Sequence, residues 1–404
     1  MNLKFFLSVL VLSALFNAGS GNQPVQSNVE DLNLTDSGKK IENTINLYTS
    51  RSTYEDLKVS VGVKTNIKAE VLIINGDTLK PEGIITRGQT TLYLRRKSFS
   101  FKLNSKASFL HGERTESLKK FFALSITMDR NYCNNRLAFE MMETCRIFDL
   151  FYSFCELRIN GQSEGIYMII ERPEDWAMRK KDSPLFMRRG YEHNIDKIET
   201  DKKLGKDEAR KYTSYFRQIY SSLNKYEGEE LYKTLSNWLD LDTYMKWLAF
   251  NFFVRNGDYT DEVYFFIDRD INKLNIIPWD YDDLFAAAPH EGKIVSKKVL
   301  GDKYLFSAED MLDKKIASDP YMYKMYLIQF REVLNVLSPA VLKRIFESTY
   351  AELYPYYSNS EIMSMSGYDI YKDANLPRLK SDMLALYDKL RITRDLYLNS
   401  LGGP

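Results

Sequence analysis

Apolar positions follow two regimes along the chain. Between roughly residues 67 and 171 they come in short runs cut by Asn-Gly and other glycine turns, and after Pro173 they recur at helical spacing in long segments. "KAEVLIINGDTL" predicts a hairpin about Asn75-Gly76, "EGIITRGQTTLYLRRKSFSFKL" two strands, and "KKFFALSI" another. In "DRNYCNNRLAFEMMETCRIF" the apolar residues Leu137, Met141 and Ile147 or Phe148 lie near helical spacing, so a helix follows these strands. The strand pattern returns in "FCELRINGQSEGIYMIIERPE", two strands around "NGQSEG".

Amphipathic helical segments then dominate: "DEARKYTSYFRQIYSSL", "LYKTLSNWL", "LDTYMKWLAFNFFVRN", "YMYKMYLIQFREVLNVL", "SPAVLKRIFESTYAELYPYY" and "LPRLKSDMLALYDKLRITRDLYLNSL". One hairpin interrupts them, "VYFFID" and "LNII" joined by "RDINK". The expected fold class is α+β. A strand-rich N-terminal lobe with one helix, residues 47–172, precedes a helix-rich C-terminal lobe with one short hairpin, residues 173–404. No internal repeat is present. A crevice between two such lobes is a natural ligand site.

The N-terminus reads differently. Lys4, an apolar run from Phe5 to Phe16 and then Ala18, Gly19 and Ser20 predict a cleaved signal peptide over residues 1–20, the run being too short to cross a bilayer. Residues 21–46 are polar without sustained period and read as a linker. The expected location is therefore secreted, periplasmic or cell-envelope, with no membrane span in the mature chain. Lys plus Arg number 56 against 55 for Asp plus Glu, interspersed along the chain, which argues against a nucleic-acid footprint. Three cysteines without a CxxC pattern and three histidines argue against a thiolate–imidazole zinc site. Cys133, Cys145 and Cys155 read as buried free thiols or as one pair with one left over. His111, His193 and His290 sit in polar, loop-like surroundings and read as surface residues rather than general bases.

Charge concentrates around the C-terminal hairpin. Asp258 precedes it in "RNGDYTDE", and Asp280, Asp282 and Asp283 follow it in "PWDYDD". The ends of a hairpin meet in space, so Asp258 and Asp280 can face one site. Two carboxylates there suit divalent-cation chemistry, one ligating Mg²⁺ or Mn²⁺ and one accepting a proton. Aspartate also favours turns for local reasons, so each one alone is equally a loop former. A loop aspartate, a hairpin and a second aspartate is the order used by protein kinases. A phosphate clamp would come from "TRGQTTLYLRRKSFSFKL", with Gly88 and cations following; of Lys97 and Lys102, on opposite strand faces, only one can enter the crevice. Glu140 on the helix would orient that lysine, or else merely flank the apolar stripe.

These pieces resemble the CotH family of secreted atypical protein kinases. The matching segments are "RGQTTLYLRRKSFSFKL", "DRNYCNNRLAFEM", "LRINGQSEGIYMIIE", "RNGDYTDEVYFF" and "IPWDYDD", in order from Thr86 to Leu284. The resemblance implies a divergent bilobal kinase-like fold that binds ATP and Mg²⁺ or Mn²⁺ between its lobes and phosphorylates Ser or Thr on secreted proteins. It implies Asp280, with Asp282, as metal ligands and Asp258 as the catalytic base. Glu140 would be the helix glutamate, Lys97 or Lys102 the phosphate lysine, Arg87 a phosphate contact, and Glu171 a residue near the adenine. Trp279 packs on the nucleotide or fills core, and Asp283 enters a helix.

Two departures bear on activity. Asn134 and Asn135 stand where the family has Arg-Asn, so one cation is gone. Val263 stands where it has a metal-ligating asparagine, leaving Asp261, Glu262, Asp282 or Asp283 to substitute. An inactive CotH-like surface or envelope interaction protein is thus the alternative to a kinase. A glycan hydrolase using Asp258 and Asp280 ranks third, because it leaves the basic strand pair unexplained.

Overall fold

Runs of β-branched and aromatic residues in the first half pair into one large sheet. The computed structural model describes residues 32–37, 40–190, 195–201, 203–289, 303–307 and 309–402. The expected signal peptide, half of the linker, His193 and His290 lie outside the described residues. Strands β1 (Thr44–Thr49), β2 (Ala69–Ile74), β3 (Asp77–Leu79), β4 (Pro81–Arg87), β5 (Ser98–His111), β6 (Arg114–Leu124), β7 (Tyr152–Ile159) and β8 (Gln162–Glu171) form a sheet ordered β3-β2-β1-β7-β8-β6-β5-β4. Its neighbours are antiparallel except β1 and β7.

Alternation along the strands sends side chains to two faces. Phe99, Phe101, Phe121, Tyr167 and Ile169 enter one core with Leu57 of helix α1 (Arg51–Val59). Phe122, Phe154, Met168 and Ile170 enter the other, which continues through helix α2 (Asn134–Thr144) into the second half of the chain. Because β8 is covered on both faces, it reads as an apolar run rather than as an alternation.

After β8, a short helix α3 (Pro173–Asp175) runs into one π-turn at Trp176–Lys180. Strands β9 (Leu185–Arg189), β10 (Ile195–Thr200), β11 (Val263–Asp268) and β12 (Lys273–Pro278) form a second antiparallel sheet ordered β10-β9-β11-β12. Of helices α4 (Lys206–Ser222), α5 (Gly228–Leu235), α6 (Leu241–Val254), α7 (Met311–Ser318), α8 (Pro320–Val336), α9 (Pro339–Tyr357), α10 (Ser360–Ser364) and α11 (Leu376–Ser400), α4 and α6 pack on this sheet, whereas α9 packs on α2 and β7 and α10 on β8 of the first. Helix α6 is apolar on nearly every face, with Trp247, Phe250 and Phe253 all buried, as expected of a helix surrounded by others.

Three expectations need correction. The hairpin is not isolated, because β9 pairs with β11 in the register Phe265 to Met187. The first half holds a second helix, α1, which Ser50 caps by accepting the Thr53 N–H; with only Leu57 buried, it leaves no periodic apolar signal. The stretch read as a linker is structured before residue 46: Thr44–Asn46 already belong to β1, Leu34 is buried, and Tyr350 donates to Asp36 at 2.6 Å.

Candidate active site

A cleft of about 590 Å³ opens where the turn after β4, the N-terminus of α2, the end of β9 and both ends of the β11–β12 hairpin converge. Its lining includes Arg87, Gly88 and Thr91, the acids Asp258, Asp261, Glu262, Asp280 and Asp282, and Ser98, Thr127, Asn135, Arg188 and Trp279. The structure therefore brings Arg87, Gly88, Asp258, Trp279, Asp280 and Asp282 together.

Helix α6 fixes where the acidic loop begins. The helix stops at Arg255, left-handed at φ 50°, and Asn256 then folds the chain back: its side chain donates to Asn251 Oδ1 at 3.2 Å and accepts the Asp258 N–H at 3.1 Å. Gly257 lies flat against the segment after β12, donating to the Asp283 carbonyl at 2.9 Å; a Cβ there would come within 2.0 Å of Asp283 Oδ2. The pairing of Val263 with Pro278 brings both ends of the hairpin together, and the Trp279 N–H donates to the Glu262 carbonyl at 2.9 Å. Asp280 follows in the left-handed region at φ 54°, a strained conformation for a residue with a side chain.

The start of α2 holds that strained segment. Asp129 accepts the N–H groups of Asn134 and Asn135, both at 3.0 Å. Asn135 Oδ1 in turn accepts the Tyr281 N–H at 3.0 Å, and Asn134 Nδ2 donates to the Asp282 carbonyl at 3.1 Å. The two asparagines thus grip the two residues that follow Asp280. Asn135→Ala is expected to destabilise the chain by about 1–3 kcal/mol, because the buried Tyr281 amide loses its acceptor. Urea unfolding measures this.

Like charges in a confined space shift these acids. Burial and the Asp258 charge push the Asp280 carboxyl up to about 6, against the pull of Arg87 and Arg188. Burial and Asp280 raise Glu262 and Asp282 well above the usual carboxylate range, and burial with Asp258 raises Asp261. Arg87 is the counterweight: its guanidinium sits 3.8 Å from the Phe122 ring centroid and 5.9 Å from that of Trp279, within reach of the Asp280 and Glu262 charges. Arg188 donates to Glu262 at 2.8 Å and to the Asp261 carbonyl at 3.2 Å.

Among the described residues, no three His, Cys, Asp or Glu side chains close into a metal cage. The oxygen-only, charge-surplus donor set nevertheless fits a hard divalent cation of the kind that takes one or two protein carboxylates and completes its shell with phosphate and water.

Burial pushes Asp129 and Asp313 up to about 7. For such groups the folded state keeps protons that the unfolded chain releases near pH 4. Their stabilisation is therefore complete below that pH and is lost as pH rises through 6 to 7. Glu352 is held far below its usual range, mainly by Arg136 acting against its burial, and matters only at lower pH. Without metal, the thermal midpoint is expected to fall by several degrees between pH 5 and pH 8, and Asp129→Asn is expected to flatten the fall. Calorimetry across that range checks it.

Four sequence-derived candidates lie elsewhere. Lys97 turns beneath the β4–β5 connection, its ammonium donating to the carbonyls of Ser60 and Leu92, both at 2.7 Å. Lys102 is half-buried and pairs with Glu82 at 2.5 Å. Glu140 points away from the cleft to Arg136, at 2.9 Å, and Tyr152, at 3.1 Å, where Arg136 also clamps Glu352 of α9. Glu171 is buried against Arg179 and Lys180, at 3.4 and 3.8 Å. The two lysines miss the cleft for different reasons: the strand face that meets the cleft carries Ser98, Lys102 lies further along β5 between Gly83 of β4 and Lys120 of β6, and Lys97 points to the other face.

His111 is not a surface residue either; its ring packs against Tyr152 at 4.8 Å and lies 3.5 Å from Glu352. All three cysteines are free and buried. Asp283 begins no helix among the described residues.

The sequence reading passed over Lys64, Arg188, Thr127 and Asp129. A signal for β9 was present: "LFMRRG" repeats the strand, arginine and glycine ending of "IITRG", and Gly190, like Gly88, lines the cleft.

The mixed α+β fold thus holds a cleft that sets carboxylates against arginines and a glycine turn. This chain belongs to the CotH kinase protein family, whose model matches residues 84–372. It is 20% identical over 255 residues to the inner spore coat protein H of Bacillus subtilis strain 168, covering 59% of this chain and 64% of that protein. Among solved structures it is similar to the Shewanella oneidensis MR-1 toxin–antitoxin complex of HipA, HipB and operator DNA. That match has 12% identity and a TM-score of 0.28, over 74% of this chain and 64% of the other, a score too low to equate the two folds. The chain thus spans under two thirds of the length of either protein.

Proposed function

We propose that this chain is a secreted atypical Ser/Thr protein kinase that transfers the γ-phosphate of ATP to exported or surface proteins with Mg²⁺ or Mn²⁺. In this reading the large sheet with α2 is one lobe, the second sheet with the later helices is the other, and the cleft between them receives ATP. The observation that carries it is the convergence of Asp258, Asp280 and Asp282 with Arg87 in one cleft.

Asp280 and Asp282 are the residues that would hold the metal, which when bound neutralises phosphate charge. Arg87 and the Gly88–Thr91 turn lie against the phosphates, with Arg87 held ready by its stacking on Phe122. Asp258 takes the proton of the acceptor hydroxyl as its oxygen bonds to the γ-phosphorus and the bond to the ADP oxygen breaks. Catalysis is then mainly positioning, and the Asn134–Asn135 grip on the Asp280 segment serves that end.

Calorimetric titration with ATP tests the reading. Binding that requires Mg²⁺ or Mn²⁺ supports it, and no binding in either metal sinks it.

One observation favours a second reading, a CotH-like interaction protein without activity. Neither Lys97 nor Lys102 reaches the cleft, and Val263 is buried within β11. Retained ATP binding without transfer would establish that reading.

A further inference from the structure

We propose that an apolar ridge formed by Val59, Val61, Val63 and Tyr93, beside the cleft, is the docking surface for the polypeptide to be phosphorylated. The proposal rests on the phosphotransfer reading above. These side chains are 73%, 60%, 61% and 58% exposed, four of the five most exposed large apolar residues among those described. They form one patch rather than a scatter: the Gly62 N–H donates to the Leu92 carbonyl at 2.9 Å, and the Tyr93 ring lies so close over Gly62 that a Cβ there would come within 2.9 Å of it. Contiguous exposed apolar surface marks an interaction site, whereas single exposed residues do not.

The ridge is held from beneath. Lys97, almost wholly buried, donates to the Ser60 and Leu92 carbonyls, one on each leg of the patch, and has no carboxylate partner among the described residues. Burying an ammonium is costly, and burial together with the Lys58 charge lowers its affinity for the proton. Lys97, one of the two candidates for the phosphate lysine, thus fastens the two legs together.

Position selects the occupant. Val63 leads directly into Lys64, and Tyr93 follows Thr90 and Thr91, and all three of these neighbours line the cleft. Both legs therefore run from the ridge into the cleft wall. A polypeptide that brings its hydroxyl to Asp258 must enter the cleft that Lys64, Thr90 and Thr91 line, and the ridge adjoins that wall from outside. The backbone N–H groups of Val61 and Val63 have no partner among the described residues and can pair with such a chain.

The test uses the full chain, without ATP, and a fluorescein-labelled peptide of alternating Val and Gln around one central Ser, followed by anisotropy. The expected result is saturable binding that weakens at least roughly tenfold in the Val61→Lys/Val63→Lys double variant, and likewise when the peptide's valines are replaced by Asn. Both positions are exposed, so the thermal midpoint should not move.

No binding, or equal binding by both proteins, overturns the proposal. So does a dimer, seen by light scattering, that the double variant dissolves, since the ridge would then pair two copies. Binding to phosphatidylcholine–phosphatidylglycerol vesicles that only the double variant loses would assign the ridge to a membrane and also overturns it. The two claims fail separately: phosphate transfer with no ridge binding removes the docking site alone, and ridge binding with no transfer removes the kinase reading alone.

Discussion

Asp280→Asn is expected to make the metal-free chain more stable while abolishing phosphate transfer. Asp280 sits among Asp258, Asp261 and Glu262 with its carboxyl pushed up to about 6, so at pH 8 its charge is held at a cost. Removing that charge relieves the repulsion, and asparagine tolerates the left-handed backbone at φ 54° better than most residues. A gain of roughly 1–3 kcal/mol at pH 8 follows from a carboxyl raised by about two pH units. The loss of a metal carboxylate should lower transfer by ~4 kcal/mol of barrier, about 10³-fold. Opposite signs in the thermal midpoint and the rate are what a functional strain site produces. Equal loss of both would mean that Asp280 is simply part of the folded framework.

Asp258→Asn should separate chemistry from binding. Asp258 is placed by Asn256 and Gly257 at the cleft, and removing a general base typically lowers kcat by about 10²–10⁴-fold. The KM for ATP and the metal requirement should hardly change, in contrast to Asp280→Asn. Steady-state kinetics of both variants, with metal concentration varied, distinguish the two roles. A raised KM for ATP with unchanged kcat would place Asp258 among the nucleotide contacts instead.

The acidic half of the site was legible because it follows from local rules. An Asn-Gly turn, an alternating hairpin and a Pro-Trp-Asp ending tell where the chain reverses, and a hairpin must bring its ends together. The basic half was not. Strand alternation placed Lys97 and Lys102 on opposite faces, but which face meets the cleft depends on how the sheet packs, and it proved to be the Ser98 face. Glu140 failed similarly, since helical periodicity cannot tell the cleft from the Arg136–Glu352 cluster on α9, far away in sequence. Asn134, read as a missing cation, turned out to support Asp282 through its side chain. Strand β9 escaped because five residues between loops carry little periodicity, yet through Arg188 it brings a cation to the acidic loop.

The most direct test of the central claim is transfer of labelled phosphate from γ-labelled ATP. The full chain is incubated with Mg²⁺ or Mn²⁺ and a generic acceptor protein, beside Asp280→Asn. Metal-dependent incorporation into the chain or the acceptor that disappears in the variant is the expected result. Equal incorporation by both proteins, or none by a chain that binds ATP and metal, would contradict the claim.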